Sequence, residues 1–134
     1  MSRECPFCEL EGHEMVAYNS LAVAIYDKFP VSPGHILIIP KRHFADYFDA
    51  TDEELKAIGQ LLRKSRAILL QEKSPDGFNI GINIGAAAGQ TVFHLHVHLI
   101  PRYVGDHPKP AGGVRHVIPG KGCYSQTTQP GNAN

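Results

Sequence analysis

The run Phe93-His94-Leu95-His96-Val97-His98-Leu99-Ile100 constrains this chain more than any other segment. Apolar and imidazole side chains alternate in it with a period of two, the pattern of a β-strand with one buried face. The alternation predicts a strand across the whole run, with His94, His96 and His98 on one side. Phe93, Leu95, Val97 and Leu99 fall on the other side, toward a core. A buried imidazole needs a hydrogen-bond partner and an aliphatic group needs none, so stability is a poor reason for three imidazoles in register. The imidazole face is a site.

Spacing limits what that site can be. Alternate side chains along a strand lie ~6.6–6.8 Å apart, so the outer two rings start ~13 Å apart. Zinc holds imidazole nitrogen at ~2.0–2.1 Å, and three such rings cannot converge on one ion without severe distortion. The three rings therefore do different jobs. A neutral imidazole, with its ordinary pKa of ~6.5, is a good nucleophile toward phosphorus near neutral pH. His96, flanked on both sides, is the candidate nucleophile. His98 is the neighbour that donates to a phosphate oxygen as charge grows there.

The segment Gly85-Ala86-Ala87-Ala88-Gly89-Gln90-Thr91 leads into the strand. Glycines at its ends let backbone N–H groups approach a phosphate closely, and Gln90 and Thr91 add polar donors. There is no GxxxxGK[ST] run and no paired-carboxylate metal motif, so the charge work falls to neutral donors and histidines. At the other end of the chain Cys5-x-x-Cys8 is half of a zinc site. A redox pair would open a helix inside a βαβ unit, and no such unit is visible. His43 and His94 are the imidazoles nearest in role to supply the other half. Zinc on Cys5, Cys8, His43 and His94 would be four-coordinate and closed, hence structural, with one ion per chain.

The remaining segments predict the frame. Met15 to Tyr26 reads as two short strands broken at Asn19-Ser20. Pro30-Val31-Ser32-Pro33-Gly34 is turn chemistry, and His35 to Pro40 is an apolar strand closed by a proline. Thr51-Asp52-Glu53-Glu54 is a capping box. Behind it Leu55, Ile58, Leu61, Leu62, Ile68 and Leu69 recur at helical spacing to about Gln71. Phe78 to Ile84 alternates as a further strand. Strands on both sides of one long helix, with short connections, predict an α+β fold with a mostly antiparallel sheet. His13, His107 and His116 read as surface residues and Cys123 as a spare thiol.

Composition excludes several functions. The 134 residues suit one domain, taken as residues 1–122, followed by a polar tail over 123–134 that is expected to be disordered. Thirteen basic and thirteen acidic residues leave no net charge, which argues against a nucleic-acid partner. No apolar stretch approaches the ~20 residues that span a membrane. The N-terminus lacks the apolar core of a secretory signal, and three cysteines form no disulfide framework, so the cytoplasm is the expected compartment.

Taken together, these residues resemble the histidine triad (HIT) superfamily, whose signature of His-x-His-x-His and two apolar residues is met from His94 to Ile100. Ala88-Gly89-Gln90-Thr91 and Ile100-Pro101-Arg102 resemble its branch that hydrolyses dinucleoside polyphosphates. Ser32-Pro33-Gly34-His35 and Ile39-Pro40-Lys41-Arg42-His43 resemble its N-terminal half, so the likeness runs from about residue 5 to 103. The resemblance implies a five-stranded sheet with one long helix and a short one, in a homodimer. It implies cleavage of an α-phosphate linkage in a nucleotide, with adenine the expected base, through a nucleotidyl-histidine intermediate. It assigns His96 as nucleophile, His98 and Gln90 to phosphate or leaving group, and Asp27 to ribose hydroxyls. Asn83 and Thr91 become substrate contacts and His35 a support for the triad, with no organic cofactor. It also favours His94 as a zinc ligand. Phosphorylases and phosphoramidases would share the first step, and a nucleotide-binding signalling module would share only the pocket. The segment Gly112 to Pro119 has no counterpart in this chemistry, and Arg115 is linked to phosphate by charge alone.

Overall fold

The computed structural model describes residues 5–123, and five strands and one helix arise where the patterning places them. The strands are β1 (Met15–Tyr18), β2 (Ala22–Tyr26), β3 (Ile36–Pro40), β4 (Gly77–Gly81) and β5 (Val97–Arg102), and the helix is α1 (Asp52–Glu72). They form one antiparallel sheet in the order β1-β2-β3-β5-β4. Three 3-10 turns, Tyr47–Asp49, Ala86–Ala88 and Gly113–Val117, take the place of the expected short helix. Among the described residues no helix is long and apolar enough to cross a membrane. Residues 124–134 of the expected tail lie outside those described.

The helix packs on one face of the sheet. Ala57, Ile58, Leu61 and Leu69 of α1 meet Ala22, Ala24, Ile36, Ile38, Val97 and Leu99 from the three central strands. The other face is covered from the N-terminal side: Phe7 and Leu10 lie over Val23, Ile25, Leu37 and Ile39. β2 and β3 are thus apolar at nearly every position because both of their faces are buried. β5 alternates instead: Val97, Leu99 and Pro101 are buried under the helix, while His98, Ile100 and Arg102 are half-buried on the opposite face.

Two expectations about strand length are corrected. β5 begins at Val97, so His94 and His96 precede it on an irregular segment, bent at Val92 and His94, that makes no ladder. That segment is bonded sideways to a loop, through Leu95 N–H to the Phe44 carbonyl at 2.7 Å. Phe93 is half exposed and outside the core. β4 ends at Gly81, short of Ile84: its last pair is Gly81 with His98, and Ile82 does not extend the ladder to Val97. The turn before β3 needs its glycine. Gly34 sits at φ +91°, and a Cβ there would come within 2.7 Å of the Leu69 side chain.

The capping box forms as expected: the Thr51 hydroxyl accepts from Glu54 N–H, and the Glu54 carboxylate accepts from Thr51 N–H. Glu54 also takes two bonds from the Arg42 guanidinium, at 2.9 and 2.8 Å. These bonds hold its carboxyl down at about 2, against an ordinary value of 4.5. A depressed carboxyl stabilises the fold above its unfolded value and loses that contribution as pH falls through its folded one. Glu54→Gln is therefore expected to lower the melting temperature by a few degrees at neutral pH. In thermal melts, the gap to wild type should close as pH falls from about 4.5 to about 2.

Candidate active site and metal centre

The sheet register carries three polar side chains onto the face away from the helix. Leu37 pairs with His98, and Asp27 N–H bonds the His35 carbonyl at 2.9 Å just beyond the β2–β3 ladder. Asp27, His35 and His98 therefore follow one another across β2, β3 and β5, with His35 and His98 on the diagonal of a cross-strand pair. His35 Nε2 lies 2.9 Å from His98 Nδ1 and 3.5 Å from Asp27 Oδ2. The other Asp27 oxygen accepts from Phe29 N–H.

Hydrogen bonds fix where the ring protons sit. Val31 N–H donates to His35 Nδ1 at 3.2 Å, so the neutral His35 ring carries its proton on Nε2 and donates it to His98. His98, accepting at Nδ1, then presents an N–H at Nε2. Burial is the main reason its pKa falls to about 4, with the neighbouring His96 and His35 adding to the effect. His98 is therefore a neutral donor at physiological pH. His96 is set the opposite way. Its Nδ1 lies 2.8 Å from the His94 carbonyl, which can only accept, so Nδ1 holds the proton and the Nε2 lone pair is free. The His96 and His98 rings lie 5.2 Å apart.

A cavity of about 460 Å³ opens onto these two rings, lined also by Phe7, Asp27, Leu37 and Thr91. Apolar walls with a few converging polar groups are the usual build of a small-molecule site. A roomier cavity, about 620 Å³, surrounds the Arg102–Asp106 ion pair and holds no member of the triad. The expected surface residue His13 lies in the wall of the site cavity and bonds the Pro6 carbonyl at 3.1 Å. Phe7 escaped the sequence reading, although its place inside Cys5-x-x-Cys8 ties it to whatever anchors those cysteines.

Gln90 stands behind the cavity, almost fully buried. Its Oε1 accepts from Gly85 N–H, and its Nε2 donates to the carbonyls of Ala45 and Val92. The side chain thus closes the glycine loop and ties it to the segment after His43. Asn83 is brought near His98 and His35 but lines a second groove, on the β4 side.

The first triad member turns to a separate cluster. Donor atoms of Cys5, Cys8, His43 and His94 all lie within 4.8 Å of one another. Both sulfurs are 3.5 Å from His94 Nδ1, and His43 Nδ1 is 3.1 Å from Cys8 Sγ and from His94 Nδ1. A tetrahedral zinc with sulfur and nitrogen ligands has edges of about 3.3–3.8 Å. The donor set fits that ion. His94 Nε2 donates to the Pro40 carbonyl at 2.8 Å, which leaves Nδ1 as the lone-pair atom facing the sulfurs. Burial lowers the pKa of His94, and burial followed by the adjacent Cys5 raises that of Cys8. Ligand thiols give up this proton when a cation binds.

The chain is similar to known proteins over most of its length. The profile of the HIT domain matches residues 11–105, and the chain belongs to the HIT family. It is similar to an "Uncharacterized 16.1 kDa HIT-like protein" of Mycoplasma pneumoniae, 45% identical over 76% of this chain and 74% of the relative. It is 35% identical to an "AP-4-A phosphorylase" of Mycobacterium tuberculosis, over 75% of this chain and 55% of that one. Among solved structures it resembles a zinc-bound histidine triad family protein from Mycobacterium smegmatis. That similarity has a TM-score of 0.74 and 32% identity, and covers 81% of this chain and 82% of the other.

Proposed function

We propose that the protein is a nucleotide hydrolase that cleaves the α-phosphate linkage of dinucleoside polyphosphates or similar nucleotide conjugates through a nucleotidyl group on His96. The observation that carries this reading is the pair of opposed tautomers, a lone pair on His96 Nε2 beside an N–H on His98 Nε2. The His96 lone pair forms a bond to phosphorus while the bond from phosphorus to the leaving group breaks, its electron pair going to the leaving atom. That atom takes a proton from solvent. His98 donates to a non-bridging oxygen as negative charge grows on it. Water then displaces the imidazole and gives up a proton to solvent, the N–P electron pair returns to Nε2, and a mononucleotide is released.

In this reading Asp27 holds ribose hydroxyls, His35 orients His98, and Thr91 and Asn83 contact substrate on either side of His98. Gln90 acts at one remove, as a positioning residue for the glycine loop. Phe7 and Leu37 sandwich the base, with adenine expected. Phosphate as acceptor, giving a nucleoside diphosphate, is the second reading, supported by the likeness to the relative called AP-4-A phosphorylase.

Zinc on Cys5, Cys8, His43 and His94 is proposed as structural, since all four positions of a tetrahedron are filled by protein donors. When bound it supplies a fixed anchor for the N-terminal segment and for His94. The expected homodimer is supported by the outer edge of β4, which no strand pairs among the described residues and where Ile80 is half exposed. The cytoplasm remains the proposed compartment.

Mass spectrometry of protein mixed with a diadenosine polyphosphate is expected to find an adenylyl group on His96, absent from His96→Ala. Turnover that persists in His96→Ala would overturn the mechanism. Chelation is expected to lower the melting temperature, with activity falling only as the fold loosens. A chemical step lost on chelation at an unchanged melting temperature would contradict the structural role.

A further inference from the structure

A closed path of hydrogen bonds begins and ends on β5. His98 of that strand accepts at Nδ1 from His35 Nε2, 2.9 Å away. His35 Nδ1 accepts in turn from Val31 N–H at 3.2 Å. Beside Val31, the Ser32 hydroxyl donates to the Pro101 carbonyl at 2.7 Å, and Pro101 lies three positions past His98 on the same strand. A second tie runs alongside. The Tyr103 hydroxyl donates to the Pro33 carbonyl at 2.6 Å. The phenol keeps the proton it donates, because burial and then the Asp76 carboxylate push its pKa up.

The segment that these ties hold has little apolar burial to fix it. Lys28, Phe29, Pro30, Val31 and Pro33 are all exposed. Two further hydrogen bonds close within the turn, from Phe29 N–H to Asp27 Oδ1 and from His35 N–H to the Ser32 carbonyl. They shape the turn but do not aim it at β5. Ser32 and Tyr103 do that.

The aim of Val31 N–H decides a tautomer. A neutral imidazole carries one proton, and either ring nitrogen can hold it. While Val31 N–H faces His35 Nδ1, that atom accepts, and the ring proton sits on Nε2 and is donated to His98. With Val31 turned away, His35 is free to hold its proton on Nδ1. Its bare Nε2 then accepts from Nδ1–H of His98, and the outward Nε2 of His98 is left with a lone pair. That lone pair repels the phosphate oxygen on which charge gathers. No proton is gained or lost overall, yet the donor to the phosphate is gone.

We propose that Ser32 and Tyr103 are positioning residues that hold Val31 N–H against His35 and thereby keep His98 a donor toward the phosphate. This rests on the nucleotidyl-transfer reading and adds two residues to it, neither of which lines the site cavity.

Nitrogen-15 NMR of the histidine rings, with steady-state kinetics on diadenosine tetraphosphate, tests it in Ser32→Ala/Tyr103→Phe. The double variant is expected to move protons from Nε2 to Nδ1 on both His35 and His98. His96, whose tautomer is set separately by the His94 carbonyl, should keep its proton on Nδ1. The expected fall in kcat is at least ~10-fold with KM little changed, short of the ~10²–10³-fold cost of losing such a donor outright. Ser32→Thr/Tyr103→Phe, which keeps a hydroxyl at position 32, should show the wild-type tautomers and recover most of kcat. Unchanged tautomers at His35 and His98 in Ser32→Ala/Tyr103→Phe would overturn the proposal. So would a shift that takes in His96 as well, since it would report a general loosening of the face. Failure of the underlying reading looks different: His96→Ala would then turn over the tetraphosphate as fast as wild type.

Discussion

One hydrogen bond, from His96 Nδ1 to the carbonyl of His94, orients the ring on which the proposed chemistry depends. It takes the single proton of a neutral ring and so leaves the outward nitrogen with a lone pair. The bond depends on where His94 is held. The His94 ring is fully buried, pinned at Nε2 by the Pro40 carbonyl and surrounded at Nδ1 by Cys5, Cys8 and His43. A single residue thus connects the end of β3, the N-terminal segment and the ring beside it. The rest of the fold supplies fixed points for these contacts.

The two faces of the sheet divide the labour. Under α1, Ala22, Ala24, Ile36, Ile38, Val97 and Leu99 form an apolar layer that makes β2, β3 and β5 rigid. On the opposite face the same strands carry Asp27, His35 and His98 at positions set by a period of two. A slip of one residue in β3 against β5 would turn His35 into the core and leave His98 Nδ1 without its donor. Ile36, Ile38, Val97 and Leu99, all buried in that ladder, make such a slip costly. The site gains its precision from the core beneath it.

Much of this was legible in the sequence. The capping box of Thr51 and Glu54, the helical stripe after it and the strand pair around Asn19 each follow from local rules that tertiary packing reinforces. The expectation that the three rings do not converge on one point also follows from their spacing, and His94 turns to Cys5, Cys8 and His43 while His98 contacts His35. Where the reading departs from the structure, the cause is a contact distant in sequence. His94 and His96 alternate like strand residues, yet Leu95 bonds the Phe44 carbonyl, 51 positions away, and the ladder starts only at Val97. Gln90 has the composition of a ligand contact, but its amide spans to Ala45 and back to Gly85. His13 and Phe7 reach the cavity because the N-terminal segment folds over the sheet, which no periodicity in residues 5–13 announces.

The central claim concerns the protonation of one ring, so a direct observation of that ring tests it best. Nitrogen-15 NMR of His96 in protein labelled at its histidines, at neutral pH and without substrate, reports which ring nitrogen bears hydrogen. A protonated Nδ1 with a bare Nε2 is the predicted result. A proton on Nε2, with Nδ1 acting as acceptor, would contradict the account.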